Sequence, residues 1–459
     1  MTQTSSYAAV PVTEILAKFA HDTQFHDLPA EVPTKLKELL LDYIGVSAAA
    51  SIGADSTEPI YQGILSFAGG NSGSNTVFKR GQQYSPPIAA LLNGALSHSY
   101  DFDDTFARGC LHPGTAVIPA TLAQAESLHS STQDVLAALA VGYEVVCRVG
   151  TQLSDGGYER GFHNTSTAGI FGCVAAIASL QKLPAAVIET AFGMAGSKAS
   201  GSMQFLENGS WNKRLHPGFA AYDAFLCVHL AEAGVLGAAK PLEGRFGAFH
   251  AFSSRTPDLE GLTQHLGVDW QFLGTALKPF AACRMTHGAI DLASDIAASA
   301  GRENVDSITV SIRQECVNIV GLPAPNKIHP ENIVEAQFSI YYQVAVAWFY
   351  GASMGWAVYD KLHDERVRQL SERITVVADQ EINGLETKLA VKYTDGTCKG
   401  DSLLRPLGEE SNPFTKDRVD QKFFGLASPV YGDDTARLIK DLVDGFEGSS
   451  VGRLMDVVK

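Results

Sequence analysis

Three carboxylates and a hydroxyl crowd into one short stretch, Ser97-His98-Ser99-Tyr100-Asp101-Phe102-Asp103-Asp104-Thr105, which runs on to Leu111-His112-Pro113-Gly114-Thr115. Acid–base chemistry needs such groups held in the open on a loop between rigid elements. The plainer alternative is a helix end with solvated aspartates, followed by the cap of the next helix. Four other places carry reactive groups. His163 lies in Gly161-Phe162-His163-Asn164-Thr165-Ser166-Thr167, just ahead of an Ala/Gly-rich run. Lys213, Arg214 and His216 fall in Asn212-Lys213-Arg214-Leu215-His216-Pro217-Gly218. Lys278 precedes Pro279, and Arg284 is followed by Thr286-His287-Gly288.

Each of these groups has a structural explanation: a histidine can cap free N–H groups, and a lysine can be a solvated surface residue. Repetition argues for a site, because His112, His163, His216 and His287 each precede a segment rich in small residues. Helix N-termini favour anions, and with Lys213 and Lys278 they would suit a di- or tricarboxylate. Other chemistries are absent from the sequence. It has no phosphate-binding P-loop, no G-x-S-x-G elbow and no H-E-x-x-H pair. Gly193, Gly196 and Gly201 follow a helical pattern and so make no dinucleotide fingerprint. The aspartates lack the spacing of a cation loop, so no metal is expected.

The 459 residues carry a net charge of −15, which excludes nucleic acid and anionic membrane as natural partners. Seven scattered cysteines form no CxxC or Cys/His pattern, which points to reduced thiols and an intracellular setting, cytoplasmic or mitochondrial. No basic stretch followed by an apolar core opens the chain, so no secretory signal is expected. No apolar run reaches spanning length.

These groups must be positioned by helices for most of the chain. From Val10 to about Trp270 the apolar spacing is helical, as at Leu36, Leu39, Leu40, Tyr43 and Ile44 after Pro33. Ser131 with Asp134 marks a helix start. After about Lys278 the period changes. Ser307 to Ile312, Ile374 to Val377 and Leu389 to Tyr393 alternate as strands, and Asp395-Gly396 marks a hairpin. Helices are expected at Ile333 to Tyr350 and Asp364 to Glu372, and helical spacing resumes from Lys416. The expected fold is mainly α: a large all-helical domain (1–275, completed by 405–459) with an inserted, smaller α+β lid domain (276–404). A cleft between two such parts is a common small-molecule site.

The order Asp101-Phe102-Asp103-Asp104-Thr105…His112-Pro113-Gly114, Phe162-His163, Lys213…Leu215-His216-Pro217-Gly218, Lys278-Pro279 and His287-Gly288 resembles the MmgE/PrpD family across essentially the whole chain. That family includes 2-methylcitrate and alkylcitrate dehydratases and cis-aconitate decarboxylase. The resemblance implies a homodimer and a cofactor-independent lyase acting on a citrate-like tricarboxylic acid. It places Asp101, Thr105, His112, His163, Lys213 and Lys278 around the substrate, with Arg284 and His287 as weaker members. The expected activity is dehydration; decarboxylation of an aconitate-like acid is the alternative, followed by an epimerase or isomerase and a non-catalytic binding homologue. In the expected mechanism Lys213 and Lys278 clamp carboxylates and His163 and His112 move protons. Asp101 keeps its histidine oriented and basic.

Overall fold

The computed structural model describes residues 10–70 and 72–459, and the chain is mainly α. The helices that matter for the site are α1 (Glu31–Gly53), α2 (Pro86–His98), α3 (Gly114–Leu128), α4 (Thr132–Glu159), α5 (Gly169–Leu180), α6 (Asn212–Glu232), α7 (His287–Ala300), α8 (Ile340–Tyr350) and α9 (Lys416–Tyr431). Helix α2 packs on α3 and α6, α5 on α4 and α6, and α9 on α1. One apolar core joins these N-terminal helices to the C-terminal ones through Val419, Phe423, Ile439 and Leu454.

Helix α5, Gly-Ile-Phe-Gly-Cys-Val-Ala-Ala-Ile-Ala-Ser-Leu, is buried on nearly every face, so it has no polar stripe to present. Small residues make this possible. A Cβ on Gly218 would lie 2.4 Å from the Leu91 carbonyl oxygen, and one on Gly94 would lie 2.9 Å from the Gly218 Cα. Only glycine at both positions lets α2 and α6 approach this closely, which sets the end of α2 beside the start of α6.

A second core is built mainly from residues 280–393. Its sheet has the order β2–β1–β3–β4, with β1 (Val305–Ile312), β2 (Ile374–Ala378), β3 (Thr387–Tyr393) and β4 (Cys398–Leu403). Strands β1 and β2 are parallel, with Ile308 opposite Ile374; the other pairs are antiparallel. The parallel pair needs a crossover, and α8 lies in it. Ile308, Val310 and Ile312 are buried, as their alternation requires. The two cores share a boundary at Val46, Tyr100, Phe102 and Phe205, which come from the helical part but pack into the second core.

Three details differ from the sequence expectation. The helical part is not all helical, because Asn75–Thr76 pairs antiparallel with Gln83–Tyr84. Asn75 Nδ2 donates to the Ala123 carbonyl and Thr76 donates to Glu126, so polar anchors hold this ribbon to α3. His216 does not precede a helix: α6 starts at Asn212 and carries Pro217 inside it. The helix expected over 333–350 is broken at Phe338, because Ser339 Oγ accepts the Tyr342 N–H and restarts the chain as α8. Among the described residues no helix is long and apolar enough to cross a membrane.

Candidate active site

A cavity of about 800 Å³ opens between the helical part and the α+β segment, and Asp101, Thr105, His112 and Lys213 line it. The loop after α2 turns sharply because Asp101 has a left-handed backbone, φ 49°. That turn sends the Asp101 carboxylate toward α6. Oδ1 accepts Lys213 Nζ at 2.8 Å and Lys278 Nζ at 2.8 Å, and Lys278 also donates to the Asp101 carbonyl at 2.8 Å. Lys278 reaches this place because Thr105 and Ala276 exchange backbone hydrogen bonds, tying the loop to the strand-like Ala276–Lys278 stretch. Burial alone would push the Asp101 carboxyl up, but the two ammonium groups outweigh it and hold it well below the usual carboxylate range.

The carboxylate that orients His112 is Asp103, not the expected Asp101. Asp103 Oδ2 lies 2.8 Å from His112 Nδ1 and 3.0 Å from His98 Nδ1, whereas Asp101 Oδ1 is 3.8 Å from His112 Nε2. Burial pushes both imidazoles down, His98 to about 3, so both are neutral at neutral pH. Asp103 stays ionised against its burial because both rings face it. A carboxylate accepting Nδ1–H leaves Nε2 of His112 as a bare lone pair, and His112, 8% exposed, lines the cavity. Asp104 plays a different part: it accepts the Gly114 N–H at 3.0 Å and the Tyr143 hydroxyl at 2.8 Å, securing the start of α3. Burial and the nearby Asp103 raise its carboxyl to about 7. Thr165 Oγ1 accepts the His112 N–H at 3.0 Å, which anchors that histidine from a third side.

His163 and Lys278 are fully buried and sit behind this surface. His163 Nδ1 is 3.0 Å from His216 Nδ1, and its Nε2 has no hydrogen-bond partner among the described residues. His98, His112 and His163 each bring one ring nitrogen within 4.8 Å of the other two. Such a trio could take a metal or pass a proton, and the ammonium groups 2.8 Å from Asp101 oppose a cation. Arg284 lines the cavity, with Nε donating to Glu409 at 2.7 Å. His287 is fully buried and outside the cavity lining. Its Nδ1 faces Arg284 at 2.9 Å and its Nε2 the Ala282 carbonyl at 3.1 Å, so both nitrogens are engaged.

Several contributors were not singled out from sequence. His98 could have been found, since it stands five residues before Asp103 in the acidic stretch. Tyr158 lines the cavity, and burial pushes its phenol well above its usual value, so it stays a neutral hydroxyl; one aromatic in a helical pattern reads as core. Asp155 follows Ser154, where α4 departs from helical geometry (φ 39°, ψ −139°), and it takes both Arg313 nitrogens at 2.9 and 3.0 Å across the boundary. Nothing in sequence spacing shows that pairing.

Residues 14–260 match the MmgE/PrpD N-terminal domain and residues 280–447 the MmgE/PrpD C-terminal domain. The chain is 28% identical to the cis-aconitate decarboxylase-like protein oryM of Aspergillus oryzae, over 98% of this chain and 97% of that protein. It is 27% identical to human cis-aconitate decarboxylase over 95% of this chain and 92% of the other, and 26% identical to the mouse protein over 95% and 91%. With both domain models matched in order over most of its length, the chain belongs to the MmgE/PrpD family.

Proposed function

We propose that this protein is a cofactor- and metal-independent lyase that dehydrates a citrate-like hydroxy-tricarboxylic acid. The observation that carries this reading is the bare Nε2 of a neutral His112, oriented by Asp103 and facing the cavity. Elimination of water needs a base for the proton α to a carboxylate, and a neutral imidazole held in one tautomer supplies it. Lys213, at the cavity surface, receives a substrate carboxylate, with Lys278 behind it keeping Asp101 ionised. The departing hydroxyl is held by hydrogen bonds from the Thr105 hydroxyl, which has no partner among the described residues, and the Tyr158 phenol, and it leaves as water on taking the proton that His112 has removed. The α+β segment serves as the lid, latched to the helical part by Arg313–Asp155.

Decarboxylation of an aconitate-like acid is a second reading, favoured by the activity named for the human and mouse relatives. It needs the same clamp but a proton donor to the carbanion in place of a base. Incubation with 2-methylcitrate, citrate and cis-aconitate, followed by mass spectrometry, tests both. The proposal expects loss of 18 mass units from a hydroxy acid. Loss of 44 from cis-aconitate, with no dehydration, assigns the decarboxylase instead, and no change in any acid removes the lyase.

A further inference from the structure

Three consecutive carbonyls of the loop after α2 are each taken by a side chain from a different part of the chain. Gln337 Nε2 of the α+β segment donates to the Tyr100 carbonyl at 3.0 Å, Lys278 Nζ to that of Asp101 at 2.8 Å, and Lys422 Nζ of α9 to that of Phe102 at 2.8 Å. A peptide unit is planar, so a held carbonyl orients the whole unit. Holding the units on both sides of Asp101 fixes its two backbone dihedrals, including the left-handed φ of 49°, which persists only where its surroundings over-determine it. Holding the units on both sides of Phe102 fixes the angle between Asp101, which meets the lysines, and Asp103, which meets His112.

Lys278 already belongs to the site. Lys422 does not line the catalytic cavity; with Tyr100, Phe102 and Trp356 it borders a second groove of about 570 Å³. Asp42 of α1 aims its ammonium, with Oδ1 at 2.6 Å, and the ammonium lies 4.1 Å over the Phe102 ring. Both side chains of this pair are buried. A buried ion pair adds little net stability over a packed apolar pair, so stability does not account for it. The geometry points to Lys422 as a positioning residue for the proton transfer: held by Asp42, it fixes the Phe102–Asp103 peptide and, through it, the carboxylate that sets the His112 tautomer. It acts through the loop and not on the acid. The inference rests on the dehydratase reading for the task of His112, whereas the tautomer of His112 can be read without turnover.

Two variants and one spectrum test this. Asp42→Leu/Lys422→Met replaces the pair by apolar side chains and leaves no unpaired buried charge. It should melt as high as wild type, with kcat on 2-methylcitrate about ten- to a hundredfold lower and KM changed less, because a misplaced base loses rate. Lys422→Ala opens a space onto the second groove that propylamine fits. Propylamine should restore its kcat with a saturating concentration dependence, and tetramethylammonium at the same ionic strength should not. With ¹⁵N-labelled imidazoles, wild type should show His112 protonated at Nδ1 and the double variant a mixture of tautomers. A folded double variant with wild-type kcat overturns the inference and leaves the dehydratase standing. A loss of kcat that only follows loss of folded protein in both variants, with no response to propylamine, overturns it too. No dehydration by wild type overturns the reaction, and the His112 spectrum then decides: a tautomer mixture in the double variant supports the positioning role, and an unchanged signal overturns it.

Discussion

At the floor of the cavity the buried carboxylates are met at hydrogen-bond distance: Asp101 by two lysines, Asp103 by two histidines. On the α+β side the polar contacts are ion pairs reaching across to other segments, Arg313 to Asp155 and Arg284 to Glu409, set among Met285, Ile319 and Leu385. The first arrangement fixes tautomers and charge states, which chemistry depends on. The second fixes where the α+β wall sits and what shape it presents. Under the proposed function, the contrast assigns the reaction to the helical part and the choice of acid to the α+β segment.

Breaking the helical side should do the most damage. His112→Ala should lower kcat by on the order of 10²–10⁴ with KM little changed, because the base acts only as the proton moves. Stopped assays over a substrate range check this split. Asp103→Asn keeps the shape but no longer imposes Nδ1–H on His112, so kcat should fall about ten- to a hundredfold and the pH–rate profile should shift. A profile identical to wild type would return the orienting role to Asp101. Lys213→Ala should act mainly on KM, by about ten- to a hundredfold, since a charge-assisted contact is worth roughly 1.5–3 kcal/mol in ground and transition states alike.

Changes on the other side should be milder. Arg313→Met removes a partly buried bidentate pair, so it should cost about 1 kcal/mol of stability and raise KM a few-fold while kcat holds. Equal losses in kcat for Arg313→Met and Asp103→Asn would erase the distinction between the two sides. The smallest effect concerns pH. His98 and His216 titrate near 3 in the fold against 6.5 in the unfolded chain, so their contribution is complete above 6.5 and is lost as pH falls toward 3. Asp104, raised from 3.8 to about 7, opposes them, binding its proton in the fold as pH falls below 7. Thermal melts should therefore drop on acidification from pH 7 to 5, and more steeply in Asp104→Asn.

Much of this molecule is legible in its sequence. The change from helical to alternating spacing near Lys278 marks the sheet, because alternation is imposed by one buried face, and Ile308, Val310 and Ile312 show it. The site residues are legible as types clustered at helix starts. Their pairings are not, since a pairing depends on how close two helices come and not on spacing along one. Asp103 serves His112 because the backbone reverses at Asp101, and Lys213 reaches Asp101 because Gly94 and Gly218 let α2 and α6 nearly touch. The break at Phe338 is not legible because helical apolar spacing continues across it. It places that ring 5.5 Å from Lys213 Nζ, at the cavity wall.

The claim that His112 performs the proton transfer is tested most directly by deuterium exchange. Wild-type protein, His112→Ala and Lys213→Ala are each incubated in D₂O with saturating hydroxy-tricarboxylic acid, and deuterium is measured by mass spectrometry at the carbon α to the carboxylate in recovered substrate. The account predicts incorporation by wild type and by Lys213→Ala, and none above the uncatalysed background by His112→Ala. Incorporation by His112→Ala at the wild-type rate would contradict it.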